Sequence, residues 1–167
     1  MSKVIFLDVD GVLNCCKGDH PTKERTPNGF IGIDQKYVKR LKKIVDNTGA
    51  YIVLTSDWKD LFRTDDCDPD QANIDGKYLC ECLTKEGLKI TERTDDKSVG
   101  NDFSTGRGYG IRKYLKNHPE VTDYIILDDV HFMDFSRDLE PHLILLTNSL
   151  TEKVVNKSIN FLKPVDK

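Results

Sequence analysis

The sequence of 167 residues lacks several features that would assign it to a specialised class of protein. It has no apolar run approaching the roughly 20 residues of a membrane-spanning helix, so we expect no membrane partner. Its 25 Lys and Arg residues do not outnumber its 28 Asp and Glu residues, and a formal net charge of −3 argues against non-specific nucleic-acid binding. Its five cysteines include no Cys-x-x-Cys pair, which argues against a zinc site. The composition is that of an ordinary globular protein.

The cysteines and the first residues also bear on the cellular compartment. An odd number of cysteines suggests reduced thiols. An apolar run begins as early as Val4, so we expect no signal peptide. We therefore expect a cytoplasmic protein whose residues 1–167 form a single domain.

The most informative stretch is the apolar run at residues 4–7, which leads directly into two carboxylates, Asp8 and Asp10. A nearly continuous apolar run is typical of a parallel strand that is covered on both faces. Open α/β sheets bind ligands at the carboxyl ends of such strands. Two acids placed there repel each other, so we expect a metal ion or a basic side chain beside them.

Two later apolar runs also end in polar residues. One leads into Thr55 and Ser56, and the other leads into Asp128 and Asp129. Helical patterns separate these runs from one another. The alternation of strands and helices predicts an α/β fold with a doubly wound parallel sheet.

The segment of residues 15–33, after the first strand, is rich in proline, glycine and charge. A loop of this length is usually functional or disordered, and we call it the flap. We expect its apolar tip, Phe30 and Ile31, to pack against the protein and its basic part, residues 23–25, to be mobile. The remaining connections contain too few regular elements for a large cap domain.

The first and last of these strand ends resemble motifs of the haloacid dehalogenase (HAD) superfamily of phosphotransferases. The sequence Asp-Val-Asp-Gly-Val-Leu-Asn at residues 8–14 is similar to the first HAD motif. The Asp128-Asp129 pair after an apolar strand is similar to the fourth motif.

The second and third HAD motifs have weaker counterparts. Thr55 resembles the hydroxyl residue of the second motif, with Ser56 as the alternative one residue later. Arg107, in Arg-Gly-Tyr-Gly-Ile, resembles the basic residue of the third motif, although Lys is the common residue there. Lys113 and Lys116 are weaker candidates, and a surface position for Arg107 is the alternative.

The resemblance implies a HAD-like Rossmannoid core with the first strand at its centre, and a Mg²⁺-dependent phosphatase. Asp8 would be the nucleophile that forms a phosphoaspartate, and Asp10 the general acid and base. The implied Mg²⁺ ligands are Asp8, the backbone carbonyl of Asp10, Asp128 and Asp129. The implied catalytic and substrate-binding residues further include Gly11, Thr55, Ser56 and Arg107.

Two other functions are compatible with these motifs: a phosphoacceptor domain, and a module that binds Mg²⁺ or phosphate without turnover. A phosphoacceptor would carry its acceptor Asp on a middle strand, where this chain has Thr55 and Ser56. The expected partner is a phosphorylated small molecule, a nucleotide or a nucleic-acid end. Asp-Trp-Lys at residues 57–59 resembles the corresponding segment of small capless HAD proteins related to polynucleotide-repair phosphatases. This resemblance favours a nucleotide or a nucleic-acid end as the partner. Trp58 would either stack on a base or pack in the core.

Overall fold

A computed structural model describes residues 2–16, 20–96 and 106–162 of the chain. Residues 17–19 of the flap, residues 97–105 and residues 163–167 lie outside the described residues. None of the described helices is long and apolar enough to cross a membrane. The strands and α-helices are, in order, β1 (Ser2–Leu7), α1 (Gln35–Thr48), β2 (Tyr51–Leu54), α2 (Ile74–Thr84), β3 (Glu92–Arg93), α3 (Arg107–Asn117), β4 (Val121–Asp128), β5 (Leu143–Leu145) and α4 (Glu152–Leu162).

The described strands form one sheet in the order β3-β2-β1-β4-β5. Every pair of neighbouring strands is parallel. The strand with Asp8 at its end therefore lies at the centre, as the resemblance implied. The edge strand β3 is short, and the residues before it include Leu88 and Ile90, which are buried in the core.

Apolar side chains cover both faces of the sheet. Ile5 and Leu7 belong to a large core cluster that includes buried residues of α1, α2 and α4. Val4 and Phe6 point to the opposite face, where a smaller cluster includes Ile111 of α3. Successive residues of a strand face opposite sides of a sheet, so β1 is buried from both. The doubly wound α/β fold predicted from the sequence is confirmed.

Helix α1 shows how local sequence sets the connection between β1 and β2. The Asp34 side chain accepts a hydrogen bond from the Lys36 N–H, and so caps the first turn. Leu41 and Ile44 lie on the buried face. Gly49 ends the helix with a φ of 69°, a left-handed conformation that glycine adopts without steric cost. The chain then enters β2 beside β1.

The prediction for the flap tip was wrong in one respect. Phe30 is not packed, since 67% of its surface is exposed. Arg25 forms an antiparallel bridge with Ile31 and donates hydrogen bonds to two nearby carbonyls. The Thr26 N–H donates to the Phe30 carbonyl at 2.9 Å, which closes a tight turn between them. Hydrogen bonds within the turn satisfy its backbone groups, and the aromatic ring of Phe30 stays outside the core.

Candidate active site

The carboxyl ends of the central strands bring the predicted site residues to one edge of the sheet. The last residues of β1 are in register with those of β2 and β4. The Asp8 N–H donates to the Leu127 carbonyl at 2.9 Å, and the Thr55 N–H donates to the Leu7 carbonyl at 2.9 Å. Asp8, Thr55 and Asp128 therefore lie side by side, although they are far apart in sequence.

Arg107 links two of the acids at this edge. Its Nη1 lies 2.9 Å from Asp8 Oδ1 and 2.5 Å from Asp128 Oδ2. Its Nη2 lies 3.7 Å from the exposed carboxylate of Asp57. Asp8 and Asp128 are both buried, so this ion pairing is largely shielded from solvent. The basic side chain expected beside the acids of the first strand is thus present.

The two lysines considered as alternatives to Arg107 lie elsewhere. Lys113 forms an ion pair with Asp95 at 2.6 Å. Lys116 is exposed in the last turn of α3. The geometry therefore favours Arg107 as the basic residue of the site.

The start of α3 explains how Arg107 is held there. The Asp134 carboxylate accepts a hydrogen bond from the Tyr109 N–H at 3.1 Å, at a helix end where free amides favour an anion. A Cβ on Gly108 would lie 2.7 Å from the Asp134 carbonyl oxygen, so only glycine allows this approach. Gly106 is equally close, since a Cβ there would lie 2.7 Å from Asp134 Oδ2. The Phe132 ring covers the guanidinium of Arg107 at 4.4 Å, a cation–π contact.

The charges in the site are incompletely balanced. Burial raises the pKa of Asp8 from 3.8 to about 7, although Arg107 opposes the rise. Burial also raises the pKa of Asp128, again against the attraction of Arg107. Burial disfavours the charge on Arg107, but its attraction to the two acids is stronger and raises its pKa. One guanidinium therefore does not fully compensate the acids, and the site favours a further cation.

Thr55 and Ser56 differ in what their hydroxyls contact. The Ser56 hydroxyl hydrogen-bonds Asp8, and its Oγ also accepts a hydrogen bond from the backbone N–H of Trp58 at 3.4 Å. Thr55 Oγ1 is fully buried and has no hydrogen-bond partner within the described part of the chain. An unsatisfied buried hydroxyl costs about 1–3 kcal/mol, which a bound ligand can recover. Thr55 is therefore the better candidate for contacting a ligand.

Asp10 stands apart from the buried acids. Its side chain is exposed and both oxygens accept hydrogen bonds. Asn14 Nδ2 donates to Oδ1 at 2.7 Å, and Trp58 Nε1 donates to Oδ2 at 2.9 Å. These two donors fix the carboxylate in one orientation while leaving it accessible from solvent.

Gly11 and Asp129 are in close contact. Gly11 has a φ of +74°, and a Cβ there would lie 2.3 Å from Asp129 Oδ2. The Gly11 N–H donates to Asn14 Oδ1 at 2.9 Å, so this amide is already used within the protein. Glycine at this position lets Asp129 approach the end of β1.

The acids at this edge offer ligands for a metal ion. Carboxylate oxygens of Asp8, Asp128 and Asp129 lie within 4.8 Å of one another. Hard oxygen donors of this kind suit Mg²⁺. The Asp10 carboxylate, which is held by Asn14 and Trp58, is outside this group, so its predicted part in metal binding rests on its backbone carbonyl. The residues present therefore fit Mg²⁺.

A comparison with protein families gives a match over nearly the whole chain. The matching family is described as the HAD domain in Swiss Army Knife RNA repair proteins, and the match covers residues 4–155. The chain belongs to this family. It is thus a small member of the HAD superfamily, as the motifs indicated. No curated protein and no solved structure matched the chain.

Within this HAD domain, sequence reasoning missed the residues that support the acids. Trp58 and Asn14 hold the Asp10 carboxylate, and Asp134 and Phe132 hold the start of α3. Trp58 was weighed only as a base-stacking or core residue. The position of Trp58 just after the second motif was the one feature of the sequence that could have indicated a functional role. Its hydrogen bond to Asp10 joins residues that are 48 positions apart.

The raised pKa of Asp8 predicts that this side chain affects the stability of the HAD domain. A carboxyl whose pKa is raised on folding stabilises the protein at low pH, and this stability is lost as the pH rises through the folded-state pKa. For Asp8 that window runs from pH 3.8 to about 7. Asp8→Asn, which stays neutral, should raise the Tm of metal-free protein at pH 8 by about 8–16 °C. The gain should shrink steadily towards pH 4.

Thermal unfolding in EDTA at several pH values measures this effect. Asp57→Asn is a matched control, since that side chain is 94% exposed beside the same site and should leave the Tm nearly unchanged. A pH-independent effect of Asp8→Asn would contradict the account of the buried charge.

Proposed function

We propose that this HAD domain is a Mg²⁺-dependent phosphomonoesterase that works through a phosphoaspartate on Asp8. The observation that carries the proposal is the grouping of Asp8, Asp128, Arg107 and the unpartnered Thr55 hydroxyl at one sheet edge. This arrangement offers an oxygen nucleophile, positive charge and a free hydroxyl hydrogen-bonding group. Those are the groups that phosphoryl transfer requires.

The reaction would take place in two steps. Asp8 Oδ attacks phosphorus, the bond to the leaving oxygen breaks, and Asp10 donates its proton to that oxygen. Asp10 then removes a proton from water, which attacks phosphorus, breaks the bond to Asp8 and releases inorganic phosphate. The hydrogen bonds from Asn14 and Trp58 keep Asp10 in place for both proton transfers.

Thr55 and Arg107 would bind the oxygens of the transferring group. Thr55 Oγ1 gains the hydrogen bond that it lacks. Arg107 presents a planar array of N–H donors that suits phosphate, so it can replace the commoner lysine. Its ion pairs with Asp8 and Asp128 hold it at the site before substrate arrives.

The Mg²⁺ ion would be held by Asp8, Asp128, Asp129 and the backbone carbonyl of Asp10. When bound, such an ion neutralises the buried carboxylates and the charge on the phosphoryl oxygens. The close approach of Asp129 to Gly11 supports this role, because it brings the carboxylate to the end of β1.

The substrate class that we propose is a nucleotide or a nucleic-acid end that carries a phosphomonoester. The support is the family description, which names RNA repair proteins, together with an exposed Asp10 that a large substrate can reach. The cytoplasmic location and the single domain over residues 1–167 remain predictions.

Hydrolysis of p-nitrophenyl phosphate tests the activity directly. We expect turnover with Mg²⁺, loss of turnover in EDTA, and full recovery when Mg²⁺ is restored. Asp128→Asn should raise the Mg²⁺ concentration that is needed for half-maximal rate by about 10- to 100-fold, since it removes a buried ligand. Equal rates in EDTA and Mg²⁺ would exclude the metal-dependent mechanism.

A substrate panel then tests the substrate class. It should include nucleotides, sugar phosphates, phosphopeptides and oligonucleotides with a 3′-phosphate. Binding of Mg²⁺ without turnover of any member would favour a binding module. Rapid phosphorylation by acetyl phosphate without net turnover would favour a phosphoacceptor domain.

A further inference from the structure

A cavity of about 390 Å³ lies beside the candidate active site, and Asp10 forms part of its wall. Its volume is within the range of pockets that bind small organic ligands. The flap supplies one wall, the segment after β2 supplies another, and the start of α2 supplies a third. The motifs of the proposed phosphatase do not account for this cavity.

The position of Asp10 indicates what the cavity holds. A general acid must lie next to the oxygen that it protonates. Asp10 is also fixed by Trp58, whose indole Nε1 donates to it at 2.9 Å and which itself lines the cavity. A group attached to the leaving oxygen would therefore extend into this space. If Asp10 is the general acid, the cavity is the leaving-group side of the site.

Four apolar side chains line the cavity: Phe30, Ile31, Trp58 and Leu61. Two of them are aromatic, and aromatic side chains offer flat surfaces on which ring systems stack. Phe30 is the most exposed of the four, at 67% of its surface. A ligand ring would cover it and remove apolar surface from water.

The backbone that carries Phe30 is anchored by hydrogen bonds of the flap turn. Its N–H donates to Thr26 Oγ1 at 3.2 Å within the flap turn. Asn28, in the same turn, donates to both carboxylate oxygens of Asp75 at the start of α2, at 3.1 and 3.0 Å. An aromatic group on an anchored turn loses little conformational entropy on binding. The anchoring distinguishes Phe30 from a solvent-exposed side chain on a free loop.

The charge of the cavity restricts its ligand further. Asp10, Asp57 and Asp75 contribute to its walls, and no Lys or Arg is among the described residues that line it. A group that carries further negative charge would be repelled there. The walls suit an uncharged ring.

We propose that this cavity binds an uncharged aromatic ring of the leaving group, as in an aryl or nucleoside phosphate, and that Phe30 determines this specificity. The proposal rests on the proposed phosphatase function, since it assigns a class of leaving group to the same site. Phe30 contacts the ring and takes no part in the chemistry.

Turnover of two substrates tests the specificity. Phe30→Ala should lower kcat/KM for phenyl phosphate by about fivefold or more, the effect expected for loss of one stacking contact. It should leave kcat/KM for ethyl phosphate unchanged, because that leaving group has no ring. Met133→Ala is the control, as it removes a fully exposed apolar side chain that does not line the cavity and should affect neither substrate. Equal losses for both substrates, or no loss for either, would overturn the proposal.

Binding tests the cavity independently of turnover. Trp58 is the single tryptophan of the chain and lines the cavity, so its fluorescence reports on a ring bound there. Titration of metal-free protein with adenosine should give a saturable change, and Phe30→Ala should weaken the apparent Kd by about fivefold or more. Benzamide should bind more tightly than benzoate, its anionic isostere.

The turnover and binding experiments together distinguish a failure of the phosphatase proposal from a failure of the aromatic-site proposal. Saturable, Phe30-dependent binding of adenosine without hydrolysis of any phosphate would retain the aromatic site and exclude the phosphatase. Hydrolysis without any saturable change in Trp58 fluorescence would retain the phosphatase and overturn the aromatic site. Tighter binding of benzoate than of benzamide would also overturn it.

Discussion

Asp8→Asn is expected to lower phosphatase turnover by at least about 10³-fold. The substitution keeps the size of the side chain but removes the oxygen nucleophile, so no phosphoaspartate can form. It also removes one of the two buried partners of Arg107 at 2.9 Å. The loss should appear in kcat and in kcat/KM together, because the nucleophile is needed in the first step. Steady-state hydrolysis of p-nitrophenyl phosphate with saturating Mg²⁺ measures it.

Two controls show whether the loss of turnover is caused by the missing nucleophile. The variant should be folded, and the higher Tm expected for metal-free protein at pH 8 would show this. Asp57→Asn changes an exposed acid near Arg107 and should retain turnover to within about threefold. Equal turnover in Asp8→Asn and in the wild type would exclude Asp8 as the nucleophile.

Asp10→Asn is expected to slow turnover by about 10²–10⁴-fold, through the loss of general acid and base catalysis. The effect should differ between substrates. A p-nitrophenolate leaving group departs without protonation, so kcat/KM for its phosphate ester should fall little while kcat falls strongly. For a ribose phosphate, whose leaving oxygen needs a proton, both constants should fall. A phosphoenzyme should then accumulate with p-nitrophenyl phosphate, and rapid-quench kinetics should show a burst.

Trp58→Phe provides a control for the role of Asp10. It removes the Nε1 donor that holds Asp10 Oδ2 at 2.9 Å while leaving the carboxylate in place. It should give a smaller loss than Asp10→Asn, because the carboxylate stays in place and keeps its hydrogen bond from Asn14 Nδ2. Identical losses for both leaving groups in Asp10→Asn would contradict its role as a general acid.

Local sequence was sufficient to predict the fold because its signals agree with one another. The apolar residues at positions 4–7 point alternately to the two core clusters, as a strand buried on both faces requires. The N-cap Asp34 and the C-terminal Gly49 bound α1 as their residue types indicate. Parallel strands in register then bring Asp8, Thr55 and Asp128 together without further information.

The remaining parts of the site depend on contacts between distant segments, for which the sequence carries no local signal. Trp58 reaches Asp10 across 48 positions, and Asp134 reaches the N–H of Tyr109 across 25. The exposed position of Phe30 follows from a turn whose hydrogen bonds are satisfied internally. Apolarity alone predicted burial for that side chain. The cavity arises only where the flap, the segment after β2 and α2 meet.

The measurement that most directly tests the central claim is the identification of the phosphorylated residue in Asp10→Asn. The variant would be quenched in acid during the burst, digested, and examined by mass spectrometry. We predict one phosphoryl group, on the peptide that contains Asp8, and its absence from the Asp8→Asn, Asp10→Asn double variant. A phosphoryl group on another residue, or steady turnover with an unmodified Asp8, would contradict the proposed mechanism.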